Sequence, residues 1–154
     1  MAWSTPATWV AGIPTVANFN ARIRDQFNAL GDPWTAYVPA LTGWSLGNGT
    51  LTGVVREIGK EIQGTVTFTY GSTTTPSGNL RISLPVTKIS GLSVIGNAQI
   101  FDTSASTRFH RVVFATTSTE MQFASEADAR ATSTVPMTWA TGDTLIAEFR
   151  YQAA

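Results

Sequence analysis

Ile62-Gln63-Gly64-Thr65-Val66-Thr67-Phe68-Thr69-Tyr70 alternates apolar and polar side chains without a break, apart from the glycine. Successive side chains of a strand point to opposite faces. This spacing therefore predicts one strand that buries Ile62, Val66, Phe68 and Tyr70 and turns Gln63, Thr65, Thr67 and Thr69 outward. Leu80, Ile82, Leu84 and Val86 repeat the pattern around Arg81, Ser83 and Pro85. So do Leu145, Ala147, Phe149 and Tyr151 around Ile146, Glu148, Arg150 and Gln152. Weaker strands are expected over 35–41, 51–58, 93–101, 108–116 and 120–125. Gly59-Lys60, between Ile58 and Glu61, suits a two-residue hairpin turn with glycine first. Gly71 to Asn79 reads as a longer polar hairpin loop. Eight or so short strands separated by turn signals predict a mainly β fold, an antiparallel β-sandwich or a jelly-roll-like barrel.

The chain ahead of these strands has a different character. An irregular arm carries Trp3, Pro6, Trp9, Gly12 and Pro14, and one helical pattern follows. Thr15 is placed to cap it, and Gly31-Asp32-Pro33 to stop it. Val16, Phe19, Ile23, Phe27 and Leu30 are spaced 3, 4, 4 and 3 residues apart. At 100° per residue they fall within an arc of ~80°, a narrow apolar stripe on an otherwise polar helix. A helix of roughly 16 residues is marginal alone in water, so the stripe is expected to meet a partner. The division expected is 1–34, an arm and oligomerisation helix, and 35–154, a displayed β-domain.

Composition narrows the function. The 154 residues are 43% hydrophobic but only 13% charged, about half the usual share of charge. Ten basic residues balance ten acidic ones, so nothing drives sequence-independent binding to nucleic acid. With no cysteine, disulfides, thiolate metal sites and cysteine nucleophiles are excluded. The 24 threonines are suited to exposed sheet faces. A surface so poor in charge does little to keep copies apart, which points to assembly. No run approaches ~18 apolar residues, and the first six residues lack the basic and apolar segments of a secretory leader, so neither membrane insertion nor a leader is expected.

Catalytic groups are sparse. The single histidine, His110, could be drawn with Asp102 and Ser104 as a triad, but alternation places it on a strand face beside Arg108 and Arg111. Gly91-Leu92-Ser93-Val94-Ile95-Gly96 has isoleucine where a nucleophile elbow needs glycine. Gly47-Asn48-Gly49-Thr50-Leu51-Thr52-Gly53 precedes a strand, not a helix, and reads as a turn rather than a dinucleotide fingerprint. Carboxylates are scattered, and no loop is dense in aspartate. No enzymatic activity, cofactor or metal is expected. Aromatic residues carry the remaining signal. Trp3, Trp9 and Trp34 cluster around the helix, and contact with another chain is the favoured reading for Trp3 and Trp9. Trp44, Tyr70 and Trp139 are either core residues or candidate glycan contacts, since an exposed indole or phenol can stack on a sugar ring.

Thr8-Trp9-Val10-Ala11-Gly12, Pro14-Thr15-Val16-Ala17-Asn18-Phe19-Asn20, Ile23-Arg24-Asp25-Gln26 and Leu30 resemble the amino-terminal segment of small virion proteins of tailed bacteriophages, many of which infect actinobacteria. Tyr37-Val38-Pro39, Gly47 to Gly53, Ile58-Gly59-Lys60, Leu84-Pro85-Val86 and Thr138-Trp139-Ala140-Thr141-Gly142-Asp143-Thr144 are similar to β-domains of minor tail, fibre or head-decoration proteins. The order of these motifs spans most of the chain. Ile13 and Val54-Val55 depart from the pattern. The resemblance implies a non-enzymatic, often trimeric structural protein on the particle surface. Trp3, Trp9 and Trp34 would anchor it to other tail or capsid proteins. Val16, Phe19, Ile23, Phe27 and Leu30 would join its copies, and a minor tail or fibre protein could meet a host-surface glycan. The alternatives are a head-decoration protein at three-fold positions of the shell and a carbohydrate-binding module.

Overall fold

The computed structural model describes residues 33–91, 93–125 and 129–154, with residues 15, 17, 24, 27 and 31 as isolated positions ahead of them. The helix expected after Thr15 lies outside the described residues, as do Trp3, Trp9, Val16, Phe19, Ile23 and Leu30. Phe27 is the one member of the apolar stripe that is described, and it is exposed.

The described chain is mainly β. Nine strands follow in order: β1 (Thr35–Tyr37), β2 (Leu41–Ser45), β3 (Thr50–Ile58), β4 (Glu61–Thr69), β5 (Thr75–Ser83), β6 (Ser93–Asp102), β7 (Thr107–Ala115), β8 (Glu120–Ala124) and β9 (Thr144–Gln152). They form one antiparallel sheet in the spatial order β1-β3-β4-β9-β6-β7-β8-β5-β2. The two edge strands are consecutive in sequence. Only Val38, Pro39 and Ala40 join them, a reach of at most ~15 Å. Laid flat, nine strands would hold those edges ~38 Å apart. The sheet must therefore curl until its edges come near each other. Eight antiparallel pairings in succession leave β1 and β2 running in the same direction, with no ladder between them.

Contacts across the interior show the same closure. Trp44 on β2 meets Phe68 on β4 edge to face, with ring centroids 6.1 Å apart, although six strand intervals (~29 Å flat) separate the two strands along the sheet. From the other edge, Tyr37 on β1 reaches Phe149 on β9, two strands beyond its own neighbour, at 6.5 Å. The enclosed core takes one residue in two from the long strands. Ile62, Val66 and Phe68 come from β4, Leu145, Ala147 and Phe149 from β9, and Leu80 and Ile82 from β5. Ala98 and Ile100 of β6, Val113 of β7 and Met121 and Phe123 of β8 add to it. Strand β9 pairs along its full length with β4, from Glu61↔Gln152 to Thr69↔Thr144, and on its other side with β6.

Two expectations need correction. Residues 75–79 are not loop: β5 begins at Thr75, because Trp44 and Ser45 of β2 pair with Pro76 and Thr75. Pro76 is tolerated there because β8 covers only the far end of β5, from Arg81 to Ser83. The strand also stops at Ser83 rather than reaching Val86, since Pro85 has no N–H with which to continue a ladder.

Glycine lets the curled sheet close tightly. Tyr37 lies against Gly53, and the Phe149 ring against Gly64, where a Cβ would enter each ring. On β6, the extra residue Ile95 makes a bulge between Val94 and Gly96. There the Gly96 backbone approaches the Glu148 carbonyl oxygen so closely that a Cβ would overlap it. Because that obstacle is backbone and cannot swing aside, Gly96→Ala is expected to destabilise the fold by about 2–4 kcal/mol. Gly78→Ala, where open space surrounds the position but φ is +118°, should cost about 1–2 kcal/mol by backbone strain alone. Urea denaturation of both variants measures the difference.

Candidate functional site

The alternation of strand directions sorts the connections into two ends. Loops 46–49, 70–74 and 103–106 and the described residues 125 and 129–143 gather at one end. The Gly59-Lys60 hairpin, residues 84–91, the 116–119 connection and the carboxyl terminus lie at the other. Strand β1 enters from the hairpin side, since Thr35 pairs with Val55 and Tyr37 with Gly53.

The end formed by the four loops is held rigidly. The Asn48 side chain accepts from the Thr73 N–H (2.9 Å) and donates to Ser72 Oγ (2.9 Å), while its own N–H reaches Thr73 Oγ1 at 2.8 Å. Buried Thr74 donates its hydroxyl to the Leu46 carbonyl (2.6 Å) and accepts from the Gly71 N–H (2.9 Å). Asp143 is almost wholly enclosed, and each of its carboxylate oxygens has a backbone donor. Oδ1 accepts from Thr103 N–H at 2.9 Å and Oδ2 from Ala140 N–H at 2.7 Å. Its carbonyl accepts from Tyr70 N–H, and the Tyr70 carbonyl accepts from Gly142 N–H. One aspartate thus joins three of the four loops.

Beneath these loops the three candidate glycan contacts do come together, as interior packing. Trp44 and Trp139 are each about 6% exposed and meet edge to face at 5.3 Å, and Tyr70 stacks on Trp139 at 6.1 Å. Both indole N–H groups are spent inside, Trp44 on the Gly78 carbonyl and Trp139 on the Thr132 carbonyl, each at 3.0 Å. A sugar could not reach either indole face without unpacking the core, so Trp44 and Trp139 are corrected to core residues. Tyr70 is half-buried.

The residues considered for a triad are only partly joined. Asp102 Oδ1 accepts from Ser104 Oγ (2.7 Å) and Ala105 N–H (2.9 Å), which closes the β6–β7 turn. Those bonds hold its carboxyl below the usual carboxylate range. His110 pairs with Gln99, three residues along β7 from the partner of Asp102, a separation of ~10 Å. Among the described residues no group of three His, Asp or Glu side chains could hold a metal ion.

At the other end, Tyr151 and Tyr37 show opposite outcomes of burial. The Tyr151 hydroxyl donates to the Val86 carbonyl (2.6 Å) and accepts from the Val86 N–H (3.2 Å), fastening β9 to the turn after β5. The Tyr37 hydroxyl is buried with no hydrogen-bond partner. Burial pushes the Tyr151 phenol up to about 12, against the pull of its bond to Val86, and drives the Tyr37 phenol higher still. Lys88, also buried, donates its ammonium to the Ile89 and Gly91 carbonyls at 2.6 and 2.8 Å.

Trp34, expected to serve in anchoring, is 48% exposed. It borders an open depression of about 460 Å³ over strands β4, β9 and β6. Sequence reading missed both this depression and the role of Asp143. The Gly142-Asp143 pair does carry a local turn signal, but the strand order that brings Thr103 to it has none.

In comparisons with known proteins, no family model matches the chain, and no curated protein or solved structure matches it.

Asp143→Asn keeps the volume but replaces one acceptor by a donor facing a backbone N–H. It should lower stability by about 2–3 kcal/mol in denaturant titrations. Tyr151→Phe should cost about 1 kcal/mol by leaving the Val86 backbone unpaired, whereas Tyr37→Phe should be neutral or slightly stabilising. Both phenols ionise at higher pH folded than unfolded. Their contribution is therefore complete below the ordinary value of 10.0 and is lost as pH rises towards and past 12. Alkaline unfolding followed by circular dichroism should begin above pH 10.0 and move upward in Tyr37→Phe.

Proposed function

We propose that this protein is a non-enzymatic structural component of a tailed-phage virion exterior, a minor tail or fibre protein. In this reading the segment 1–34 attaches it, and the β-domain 35–154 is displayed. The observation that carries the reading is the polarity of the domain. The chain enters the sheet from the hairpin end, and the four cross-braced loops lie at the opposite end. A domain tethered at the first end presents the second outward.

Three further features support it. The sequence of the arm resembles phage virion proteins. The face of β3, β4 and β9 carries the outward cross-strand rows Thr50–Thr69–Thr144 and Thr52–Thr67–Ile146, which are free of charge and suited to close approach by another surface. The apolar stripe Val16, Phe19, Ile23, Phe27 and Leu30 supplies a seam for a homotrimer. On this reading the curled sheet is a jelly-roll-like barrel, and a host-surface glycan is one target of its exposed side. The competing placement is a head-decoration protein at three-fold positions of the shell.

Sedimentation of the full chain should give the mass of three copies, and deletion of residues 1–30 should give one. An unchanged oligomer after deletion removes the helix from this role. Antibody labelling of phage particles in the electron microscope then separates the locations. A handful of copies at the tail supports the first placement, and hundreds over the head support the second.

A further inference from the structure

We infer that the depression beside Trp34 is a binding subsite for a neutral saccharide. It is an open hollow of about 460 Å³, within the ~300–1,000 Å³ typical of small-molecule sites. Its rim holds the half-exposed Trp34 indole. Its floor presents Gln63 and Thr65 from β4, Glu148 and Arg150 from β9 and Asn97 from β6. The ladder fixes these groups side by side: Thr65 pairs with Glu148 and Glu148 with Asn97, while Gln63 pairs with Arg150.

A pyranose ring has an apolar face of C–H groups and a girdle of hydroxyls that both donate and accept. The site offers the complement of each. The indole supplies a flat apolar surface. The Asn97 amide donates and accepts, the Glu148 carboxylate accepts, and the Thr65 hydroxyl does either. No described residue is hydrogen-bonded to the side chains of Asn97, Glu148 or Thr65; Asn97 and Glu148 are exposed and Thr65 is partly so. Arg150 is already engaged by Glu61 on the same face. With Arg56 opposite Gln63 in the same cross-strand row, the two guanidinium groups balance Glu61 and Glu148, which suits an uncharged ligand. Neighbouring strands fix the backbones that carry these groups, so binding has to order their side chains only. This subsite is distinct from the buried cluster of Trp44, Tyr70 and Trp139, and it does not depend on where the protein resides.

The test uses the full chain titrated with glucose, galactose, mannose and N-acetylglucosamine, and with glucuronate as the acidic counterpart. Intrinsic tryptophan fluorescence and saturation-transfer NMR provide the readouts. At least one neutral sugar should bind with a dissociation constant of about 1–10 mM, the range expected of a single open subsite. Trp34→Ala and Asn97→Ala, both at exposed positions and so expected to fold, should each weaken it about tenfold or more. Failure of all four neutral sugars to bind overturns the proposal. So does affinity that is unchanged in Trp34→Ala, or a preference for glucuronate.

Discussion

Three residues hold the fold to its shape. Val38, Pro39 and Ala40 cannot stretch across a flat nine-stranded sheet, so the strands at its two edges must lie near each other whatever the side chains prefer. The link is itself fastened: the Ala40 carbonyl accepts from Ser83 N–H at 2.9 Å, and Ala40 N–H donates to Ser83 Oγ at 2.9 Å. Curling gives the sheet one inner surface. The aromatic contacts between Trp44 and Phe68 and between Tyr37 and Phe149 then stabilise a closure that chain length has already imposed. Edge-to-face pairs of this kind add ~0.5–1.5 kcal/mol each beyond the area they bury, so the two edges are held by packing although no ladder joins them. The exposed edges are also short. β1 has three residues, and β2 has five with a register shift at Gly43, whose φ is +81°. Short, irregular edges resist pairing with a stray strand.

Enclosure by a curled sheet makes polar groups inside costly, and the molecule deals with them unevenly. Asp143 and Lys88 are buried, and each is met by backbone groups that would otherwise be unsatisfied. Tyr151 likewise serves two backbone atoms of Val86. The Tyr37 hydroxyl and the Nε atoms of Arg56 and Arg111 lack such partners. Tyr37 is kept for its ring, which fills the trough over Gly53 and reaches Phe149. The bonded polar groups lie where loops must be held; of the unpaired ones, Tyr37 fills the space over Gly53, while Arg56 lies opposite Gln63 on the outward side of β3.

The strands with one clean inner face were legible from sequence. β4 and β9 appear within a residue of their expected bounds because every second position is buried. β7 gave a weak pattern for a physical reason. Its register opposite Ala98 places Arg111 on the inner face between Phe109 and Val113, where burial lowers the guanidinium pKa. Phe114, which alternation would expose, is covered instead by Arg130, 4.5 Å from its ring. Neither effect is visible locally. The loop reading of 75–79 failed because serine, glycine and proline mark turns statistically, while the carbonyls and N–H groups of this segment were claimed by β2. The tryptophans show the limit most clearly. Composition says that five are present, but only strand order says that Trp44 and Trp139 face each other inside while Trp34 remains at the surface.

That inside–outside division bears on what kind of partner so weakly charged a surface suits. Its threonine rows satisfy water through hydroxyls without creating a strong field, so approach by a neutral partner carries little desolvation cost compared with a lysine- or glutamate-rich face. Among the described residues Arg81 pairs with Glu120 and Arg150 with Glu61. Exposed pairs of this kind add little stability. A surface of this chemistry favours partners recognised by shape, hydroxyls and aromatic stacking over partners recognised by charge. Both the assembly reading and the Trp34 subsite require that preference, and the curled sheet supplies it by turning its threonine rows outward, with Trp34, Val54, Val94 and Ile146 among the large apolar residues left exposed beside them.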